Sequence, residues 1–329
     1  MLATTILALR GALASSVTIT IDVLAMANHV CRRLGRAPAF DVRLTGSGAD
    51  LFRPFLAFPE AGHQQPGLLV VPAQGLSKAA SYQARLQETD AAEARDIILA
   101  SAGAGARIAS SCTGTLLVAA TGLLDGRSAT TAWWLAPTFQ ALFPSVRLDA
   151  GALVARDGPF TTAGAAMAQM DLMIGLVAQH AGTDVADQCA RTMLIDERRS
   201  QTPYMSVGML AAASESLARA AAWAKPRLGQ GIGVNDVADA VGQSPRTFSR
   251  RVSEASGLSP VQFLQQLRVE QAIELIRNTP LSFDEIAYRV GYSDPSTLRG
   301  LVRRRSGCGP RELRARARRA TPSQNAAAR

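Results

Sequence analysis

Residues 233–260 read GVNDVADAVGQSPRTFSRRVSEASGLSP, and residues 282–310 read SFDEIAYRVGYSDPSTLRGLVRRRSGCGP. Both stretches run from an acidic residue and an apolar pair through a glycine, a serine and a proline to a closing Gly and Pro. Matching positions are 49 residues apart as far as the first shared glycine and 50 apart from the first shared proline onward. Such a repeat is one supersecondary unit used twice, and each copy predicts a helix, a turn and a second helix. We expect the second helix of the first copy to end at Gly257.

Helix-capping residues support this interpretation. Ser244 precedes a proline, which suits the start of a helix because the first turn needs no N–H donor there. Ser282 and Glu285 form an S-x-x-E capping box. Between the copies, a longer helix is predicted from Pro260 to about Arg277, and it would hold the two units at a fixed separation. Its expected apolar side comprises Val261, Leu264, Leu267, Ala272, Ile273 and Ile276.

Charge is concentrated on the part of the chain that carries the repeat. The 329 residues have a formal net charge of +9 and a mean hydropathy of +0.08, which suits about two folded domains. Residues 1–210 hold 16 Lys+Arg and 16 Asp+Glu, whereas residues 211–329 hold 19 and 10. All the positive excess therefore lies beside the repeat, which indicates a polyanionic partner.

The N-terminal half alternates apolar segments with helical ones. Strands are predicted over 4–9, 39–44, 68–72 and 107–111, and helices over 17–34, 91–102, 114–124 and 171–180. Residues 68–72 form a continuous apolar run typical of a strand buried on both faces of a parallel sheet. The alternation predicts an α/β domain with a parallel sheet.

Cys112 falls where a predicted strand gives way abruptly to a helix. A nucleophile elbow places its side chain at such a junction, although a small buried residue at a tight turn fits the position as well. A thiol nucleophile needs a base, usually His, and His29, His63 and His180 are all distant from Cys112 in sequence. Trp133, in an adjacent Trp pair expected on a strand or loop, suits core packing or the wall of an apolar pocket.

Several classes of protein are disfavoured by the sequence. The four cysteines are widely spaced and show no metal-binding pattern, so we expect neither a disulfide framework nor a metal or other cofactor. Met1–Arg10 is short and lacks the charged flank of a signal peptide, and no run of about 18 apolar residues is apparent. These features predict a cytoplasmic protein, associated with the nucleoid if it binds DNA.

Quoted motifs in both halves resemble a known family. The segments RIASSCTG (107–114), AATGLLDGRSATTAW (119–133) and FPSVR (143–147) are similar to the class I glutamine amidotransferase-like (PfpI-type) domain of GlxA-type transcription regulators. The segments SPRTFSRR (244–251) and GYSD (291–294) resemble the AraC-type DNA-binding domain. The resemblance implies a flavodoxin-like parallel sheet sandwiched by helices, followed by an all-α domain with two helix-turn-helix units. Its expected bounds are a sensor domain over 1–195, a linker over 196–212, a DNA-binding domain over 213–317 and a disordered tail over 318–329.

The resemblance also implies a ligand site, formed by Cys112, Thr113, Leu13, Gly75 and Trp133. Three departures from the enzymatic relatives stand out. Thr113 replaces a His that follows the Cys, Leu13 replaces a Glu after the first strand, and Ala132 replaces a His before the Trp. A thiol without these partners is a poor catalyst. We therefore expect a site that binds a small molecule without converting it, and no enzyme.

In the DNA-binding domain, the resemblance implies two outward-facing helices that read DNA. Their expected contact residues are Arg246, Thr247, Ser249 and Arg250 in the first helix and Ser296, Arg299 and Arg303 in the second. Gly300 stands where relatives have Arg, and glycine weakens a helix by about 1 kcal/mol relative to alanine. The second unit is therefore expected to contribute mainly phosphate contacts, through 303–305 and the basic cluster over 311–319. Within that cluster, residues 314–319 fit a solvated helix face or tail better than a phosphate contact.

The function expected from the sequence is a sequence-specific transcription regulator of the AraC family. Its α/β domain would sense a small molecule near Cys112 or mediate dimerisation, and RNA polymerase is a further candidate partner. Two alternatives stay open: a Cys112-dependent amidase or hydrolase with an accessory DNA-binding domain, and a non-specific architectural DNA binder.

Overall fold

A computed structural model describes residues 1–56, 59–62, 65–75, 79–196, 198, 200–206, 208–209, 214–256 and 258–320. The chain divides into two compact units, Met1–Thr202 and Pro203–Arg329. This division falls inside the range 196–212 that the sequence assigns to a linker. The finer domain bounds stay a prediction.

The first unit is built on a six-stranded sheet in the order β2-β1-β3-β4-β8-β7. The strands are β1 Leu2–Leu7, β2 Phe40–Thr45, β3 Leu68–Val71, β4 Arg107–Ser111, β5 Ser128–Ala129, β6 Arg147–Leu148, β7 Val154–Asp157 and β8 Phe160–Ala163. All neighbours in the sheet pair in parallel except the edge pair β7 and β8, and β5 and β6 form a separate small parallel pair. The predicted α/β class is confirmed, while the strands after β4 were not predicted.

Helices cover both faces of this sheet. They are α1 Ala14–Arg33, α2 Ala49–Phe52, α3 Ala79–Arg85, α4 Thr89–Gly103, α5 Gly114–Ala119, α6 Ala136–Leu142, α7 Ala168–Ala181 and α8 Thr183–Thr192. Because side chains alternate along a strand, Leu68 and Val70 pack towards α1, α7 and α8, whereas Leu69 and Val71 pack towards α4, α5 and α6. This two-sided burial explains the unbroken apolar run in the sequence.

Two expectations for the first unit were wrong. The helix after Cys112 ends at Ala119 rather than near residue 124, and the chain then turns through Gly122, whose φ is +80°. Trp133 begins a short 3₁₀ helix, Trp133–Leu135, and does not lie on a strand or loop. Helix α1 is long and apolar enough to cross a membrane by length and composition alone, which is weak evidence because 56% of its most apolar window is buried within the structure.

The described residues of the second unit form helices joined by turns, without a strand. Its α-helices are α9 Glu215–Ala224, α10 Val234–Ala240, α11 Pro245–Ser256, α12 Pro260–Asn278, α13 Phe283–Arg289, α14 Pro295–Ser306 and α15 Pro310–Ala320. The pairs α10–α11 and α13–α14 are the two predicted helix-turn-helix units, and α12 lies between them in the chain. Gly242 and Gly291 have φ values of +69° and +84°, which explains why a glycine occupies each turn.

The long helix α12 follows the predicted capping. Ser259 Oγ accepts a hydrogen bond from the Gln262 N–H, and the Gln262 side chain accepts one from the Ser259 N–H. Most of its predicted apolar side is buried, but Val261 is 67% exposed because it lies in the first turn, ahead of the buried part. The predicted stop at Gly257 lies outside the described residues. α15 includes residues 318–320, which the sequence had assigned to a disordered tail.

Candidate nucleic-acid interface and candidate ligand site

The first candidate reading helix is α11. Ser244 caps it by accepting a hydrogen bond from the Thr247 N–H at 3.2 Å, and its hydroxyl donates to Thr247 Oγ1 at 3.0 Å. Phe248 is buried and meets the ring of Phe263 in α12 edge-to-face at 6.5 Å between centroids. This packing fixes which side of α11 faces outward.

The expected contact residues of α11 differ in how far their side chains are exposed to a DNA partner. Arg246 and Arg250 are exposed, while Thr247 and Ser249 are half-buried. The Arg250 guanidinium donates to Glu254 at 2.8 Å, four residues further along the same helix. Both side chains of this ion pair are more than half exposed, so the pair contributes little to stability and leaves Arg250 able to exchange partners.

The second candidate reading helix, α14, is capped by Asp294. Its carboxylate accepts from the Ser296 N–H at 2.9 Å and the Thr297 N–H at 3.2 Å, as well as from both hydroxyls. These bonds lower the pKa of Asp294 to about 2. Because the Ser296 hydroxyl is engaged in this cap, Ser296 is the least available of the three predicted contacts. Arg299 and Arg303 are exposed.

The expected triple of phosphate-binding arginines, 303–305, is wrong in its last member. Arg305 donates to Glu270 at 2.9 Å and to Gln266 at 2.8 Å, and it also contacts the main-chain oxygen of Met205. Burial lowers the pKa of Arg305, although Glu270 opposes that shift. Arg305 therefore holds α14 against α12 and is not free for a phosphate.

Arg314 is a second correction within the predicted basic cluster. It donates to the main-chain oxygen of Ile276 at 3.1 Å and to that of Leu281, so it fastens α15 to the end of α12. A groove of about 890 Å³ is lined by Arg299 of α14 and by four arginines of α15, namely Arg311, Arg314, Arg318 and Arg319. The Arg299 guanidinium lies 5.1 Å from the ring centroid of Phe283 in this groove. A continuous basic surface thus links α14 to α15.

In the first unit, Cys112 occupies a strained turn between β4 and α5. Its φ is +51°, which is uncommon for a residue other than glycine. The Cys112 N–H donates to Ala163 O at 2.9 Å, and Thr131 Oγ1 donates to Cys112 O at 2.7 Å. A Cβ on Gly114 would lie 2.5 Å from Pro72 O, so the turn requires glycine there. The predicted elbow geometry is present.

The Cys112 thiol is poorly placed for nucleophilic chemistry. It is 2% exposed, and burial raises its pKa to about 11. Because the thiolate is the nucleophile, very little of the reactive form exists near neutral pH. His29 lies on α1, and His180 lies on α7 against the ring of Phe40. His63 lies outside the described residues.

Loops after three neighbouring strands bring together most of the predicted ligand-site residues. The Gln74 N–H donates to Thr113 Oγ1 at 2.7 Å, and this hydroxyl donates to Gln74 O at 2.8 Å. The Leu13 N–H donates to Ala73 O at 2.8 Å, and the Leu13 side chain packs in the apolar cluster that contains Cys112. The Gly75 N–H donates to the main-chain oxygen of Gly11, in the loop between β1 and α1, at 2.6 Å.

Tyr82 and Trp134 pack in the apolar cluster that contains Cys112, and Trp133 reaches this cluster through its contact with Trp134. Trp133 is 5% exposed and meets Trp134 at right angles, 5.4 Å between ring centroids. Tyr82 was missed by the sequence analysis, yet burial raises its pKa, and the neighbouring Cys112 thiol adds to that shift. An apolar, aromatic environment suits binding of a small molecule. Among the described residues, no group of three or more His, Cys, Asp or Glu is placed to hold a metal ion.

Fold and site together define a chain with an α/β unit followed by a unit that contains two helix-turn-helix pairs, and residues 237–316 match the helix-turn-helix domain family. The chain is 27% identical over 215 residues to the HTH-type transcriptional regulator GlxA of Rhizobium meliloti (strain 1021), covering 64% of this chain and 66% of that protein. It is 26% identical over 218 residues to the HTH-type transcriptional regulator GbdR of Pseudomonas aeruginosa (strain UCBPP-PA14), covering 65% and 59%. The chain thus spans less than two thirds of each relative. The predicted resemblance to GlxA-type regulators is confirmed.

A solved structure is also similar to part of the chain. It is the crystal structure of the DNA-binding domain of AdpA, a global transcriptional factor, in complex with a target DNA. The two share 37% sequence identity with a TM-score of 0.29, covering 32% of this chain and 96% of that one.

Proposed function

We propose that this chain is a sequence-specific DNA-binding transcription regulator of the AraC family. The observation that carries the proposal is the pair of capped helices, α11 and α14, each with a buried apolar side and exposed arginines. The class of the similar regulators and the charge of the second unit support it. Recognition helices of this type enter the major groove, and sites one helical turn apart lie about 34 Å from each other.

The two helices make unequal contributions in this proposal. Arg246 and Arg250 read guanine edges, because an exposed guanidinium can bond both acceptors of that base, and Thr247 and Ser249 make shorter-range contacts. In α14 the Ser296 hydroxyl is held in a cap, so this helix acts mainly through charge. Its contacts are Arg299, Arg303 and the basic surface that continues into α15.

The α/β unit serves, in the same proposal, as a sensor of a small molecule or as a dimer contact. A ligand would meet Cys112, Thr113, Leu13, Gly75 and Trp133. The unit is not an enzyme, because the thiol is buried, its pKa is raised, and Thr113 and Leu13 provide neither acid nor base. The protein would act in the cytoplasm, at the nucleoid, as a homodimer on double-stranded promoter DNA, with RNA polymerase as a further partner and no cofactor.

A hydrolase is the second candidate function, favoured by the strained elbow at Cys112. Incubation of the full chain with a panel of amides and esters tests it. We expect no turnover above that of Cys112→Ser. A turnover that the wild-type chain shows and Cys112→Ser lacks would establish the enzyme instead.

DNA binding is tested by selection of genomic fragments with the purified full chain, followed by footprinting of the enriched fragments. We expect discrete protected sites. The control is Arg277→Ala, which removes an exposed arginine of α12 outside both candidate reading helices. Protection spread evenly over unrelated DNA would instead indicate a non-specific architectural binder.

A further inference from the structure

The side chain of Gln201, next to the end of the first unit, fills a closed socket. Gln201 is 2% exposed. Its two amide N–H donors are shared among three main-chain oxygens, those of Thr131 and Ala152 at 2.9 Å each and that of Ala150 at 3.2 Å. Its amide oxygen accepts from the Ala165 N–H at 2.8 Å. The socket thus offers acceptors where the carboxamide has donors and a donor where it has an acceptor.

Gly164 makes room for this side chain. A Cβ at Gly164 would lie 2.1 Å from the Gln201 side-chain carbonyl carbon. The backbone of Gly164 does not have the positive φ that favours glycine, so the space, rather than the conformation, excludes a larger residue. The backbone beside the socket is fastened as well, because the Gln201 N–H donates to Gly151 O at 3.0 Å and Ser200 Oγ donates to the same atom at 2.8 Å.

Thr131 connects the socket to the elbow. Its hydroxyl donates to the main-chain oxygen of Cys112 at 2.7 Å, and its own main-chain oxygen accepts from Gln201. Four residues after Gln201, Met205 is fully buried in the second unit, where Arg305 contacts its main-chain oxygen. The segment that joins the units is therefore anchored at both ends, each within its own unit.

We propose that this socket is a carboxamide-binding site whose ligand is the chain's own Gln201, and that it fastens the connecting segment to the wall of the Cys112 elbow. A change at the elbow that moves Thr131 releases Gln201 and frees the segment that leads to the helix-turn-helix unit. The regulatory consequence rests on the proposed function, whereas the socket itself does not.

Hydrogen exchange of the full chain without DNA tests the proposal. The reporters are the main-chain N–H groups of residues 165 and 201. Gln201→Ala and Gly164→Ala should each raise exchange of both amides about tenfold or more, while amides of α8 stay unchanged. The double variant should exchange no faster than either single one, because the added methyl then occupies the emptied socket. The proposal would be overturned if the two substitutions raised exchange additively in the double variant, or if Gly164→Ala left exchange unchanged.

Gln201→Met provides a variant that keeps the volume and loses the amide. It should also raise exchange at Ala165, and wild-type protection in this variant would show that the carboxamide is not needed. If Gln201→Ala raised exchange throughout the first unit, Gln201 would be an ordinary core residue and the proposal would fail.

Acetamide separates the filling of the socket from the fastening of the segment, because it is the group that Gln201→Ala removes. When acetamide is added to that variant, it should restore protection of the main-chain N–H of Ala165. The main-chain N–H of position 201 should stay unprotected. Recovery of both amides would mean that the side chain does not hold the segment. A failure of the chain to bind DNA would leave these outcomes unchanged.

Discussion

Arg305 and Glu270 form an ion pair at 2.9 Å in which both side chains are more than three quarters buried. The pair joins α14 to α12, and the same guanidinium contacts the main-chain oxygen of Met205. Three consecutive arginines, 303–305, thus divide into two that face solvent and one that is structural. The helical period separates them, since adjacent residues point about 100° apart.

Arg305→Ala should destabilise the folded chain, whereas Arg303→Ala should not. Loss of Arg305 leaves Glu270 partly buried without its cation, and we expect a cost of about 2 kcal/mol in the free energy of unfolding. Arg303 is exposed, so its loss should change that free energy by less than about 0.5 kcal/mol. Chemical denaturation of both variants measures this difference. Equal stabilities would contradict the structural role of Arg305.

In the salt dependence of DNA binding, it is Arg303→Ala rather than Arg305→Ala that should show an effect. Arg303→Ala should make the negative slope of log K against log salt less steep by about 1, as expected for loss of one phosphate contact. Titrations between low and moderate salt measure that slope. A slope unchanged in Arg303→Ala would remove Arg303 from the interface.

Arg250→Ala should weaken binding to a selected site by about 1–3 kcal/mol and relax the base preference there. Glu254→Ala should have the opposite effect at low salt, because it removes the carboxylate that competes with DNA for the guanidinium. Binding to selected and scrambled duplexes measures both. Arg277→Ala serves as the control for loss of one exposed positive charge. An unchanged base preference in Arg250→Ala would place sequence reading elsewhere.

The sequence predicts the fold well where local signals decide it. The capping box at Ser282 rests on contacts within three residues, and the repeat and the apolar run at 68–72 are patterns that can be read directly from the sequence. The structure contains the elements that these signals predict. Strands β5 and β6 have two residues each, too short for any periodicity to reveal. Val261 satisfied the helical spacing, but burial in the first turn of α12 depends on what packs there.

The sites are harder to infer, because their residues meet only through tertiary contacts. Cys112 was identifiable from a strand-to-helix junction and a motif. Tyr82 and Gln201 carried no sequence signal. Tyr82 approaches Cys112 from α3, and Gln201 bonds residues that lie 49–71 positions earlier in the chain. Likewise, nothing in a run of three arginines distinguishes the one that finds Glu270, which lies 35 positions earlier.

Alkylation of Cys112 in the native chain should be slow at neutral pH and rise steeply towards pH 11. Burial raises the pKa of this thiol to about 11, so the reactive thiolate appears only as the pH approaches that value. The unfolded chain provides the reference, because a free thiol has a pKa of about 8.5. Rates from iodoacetamide labelling and peptide mapping measure the profile. Rapid labelling of native Cys112 at pH 7 would contradict its burial.

Asp294 should stabilise the chain in a pH-dependent manner. Its folded-state pKa of about 2 lies below the usual value of about 3.9 for an unfolded aspartate. The contribution is therefore complete above the unfolded-state pKa and is lost as the pH falls through the folded-state value. The Tm difference between wild type and Asp294→Asn should shrink from pH 5 to pH 2.

Asp294→Ser is the matched control for this cap. Serine also caps helices but does not titrate in this range, so Asp294→Ser and Asp294→Asn should show similar pH dependence relative to wild type and a pH-independent difference from each other. A Tm difference between wild type and Asp294→Asn that stays constant down to pH 2 would show that the carboxylate is not the charged cap.

Two glycines of the second helix-turn-helix unit should respond oppositely to alanine. Gly291 has a φ of +84°, and a Cβ there would lie 2.2 Å from Leu228 O, so Gly291→Ala should destabilise the chain by more than about 2 kcal/mol. Gly300 lies inside α14, where a Cβ would make only an ordinary 3.7 Å contact with Arg304. Gly300→Ala should therefore stabilise by about 0.5–1 kcal/mol. Denaturation of both variants measures the signs, and a destabilised Gly300→Ala would mean that α14 needs the flexibility of glycine.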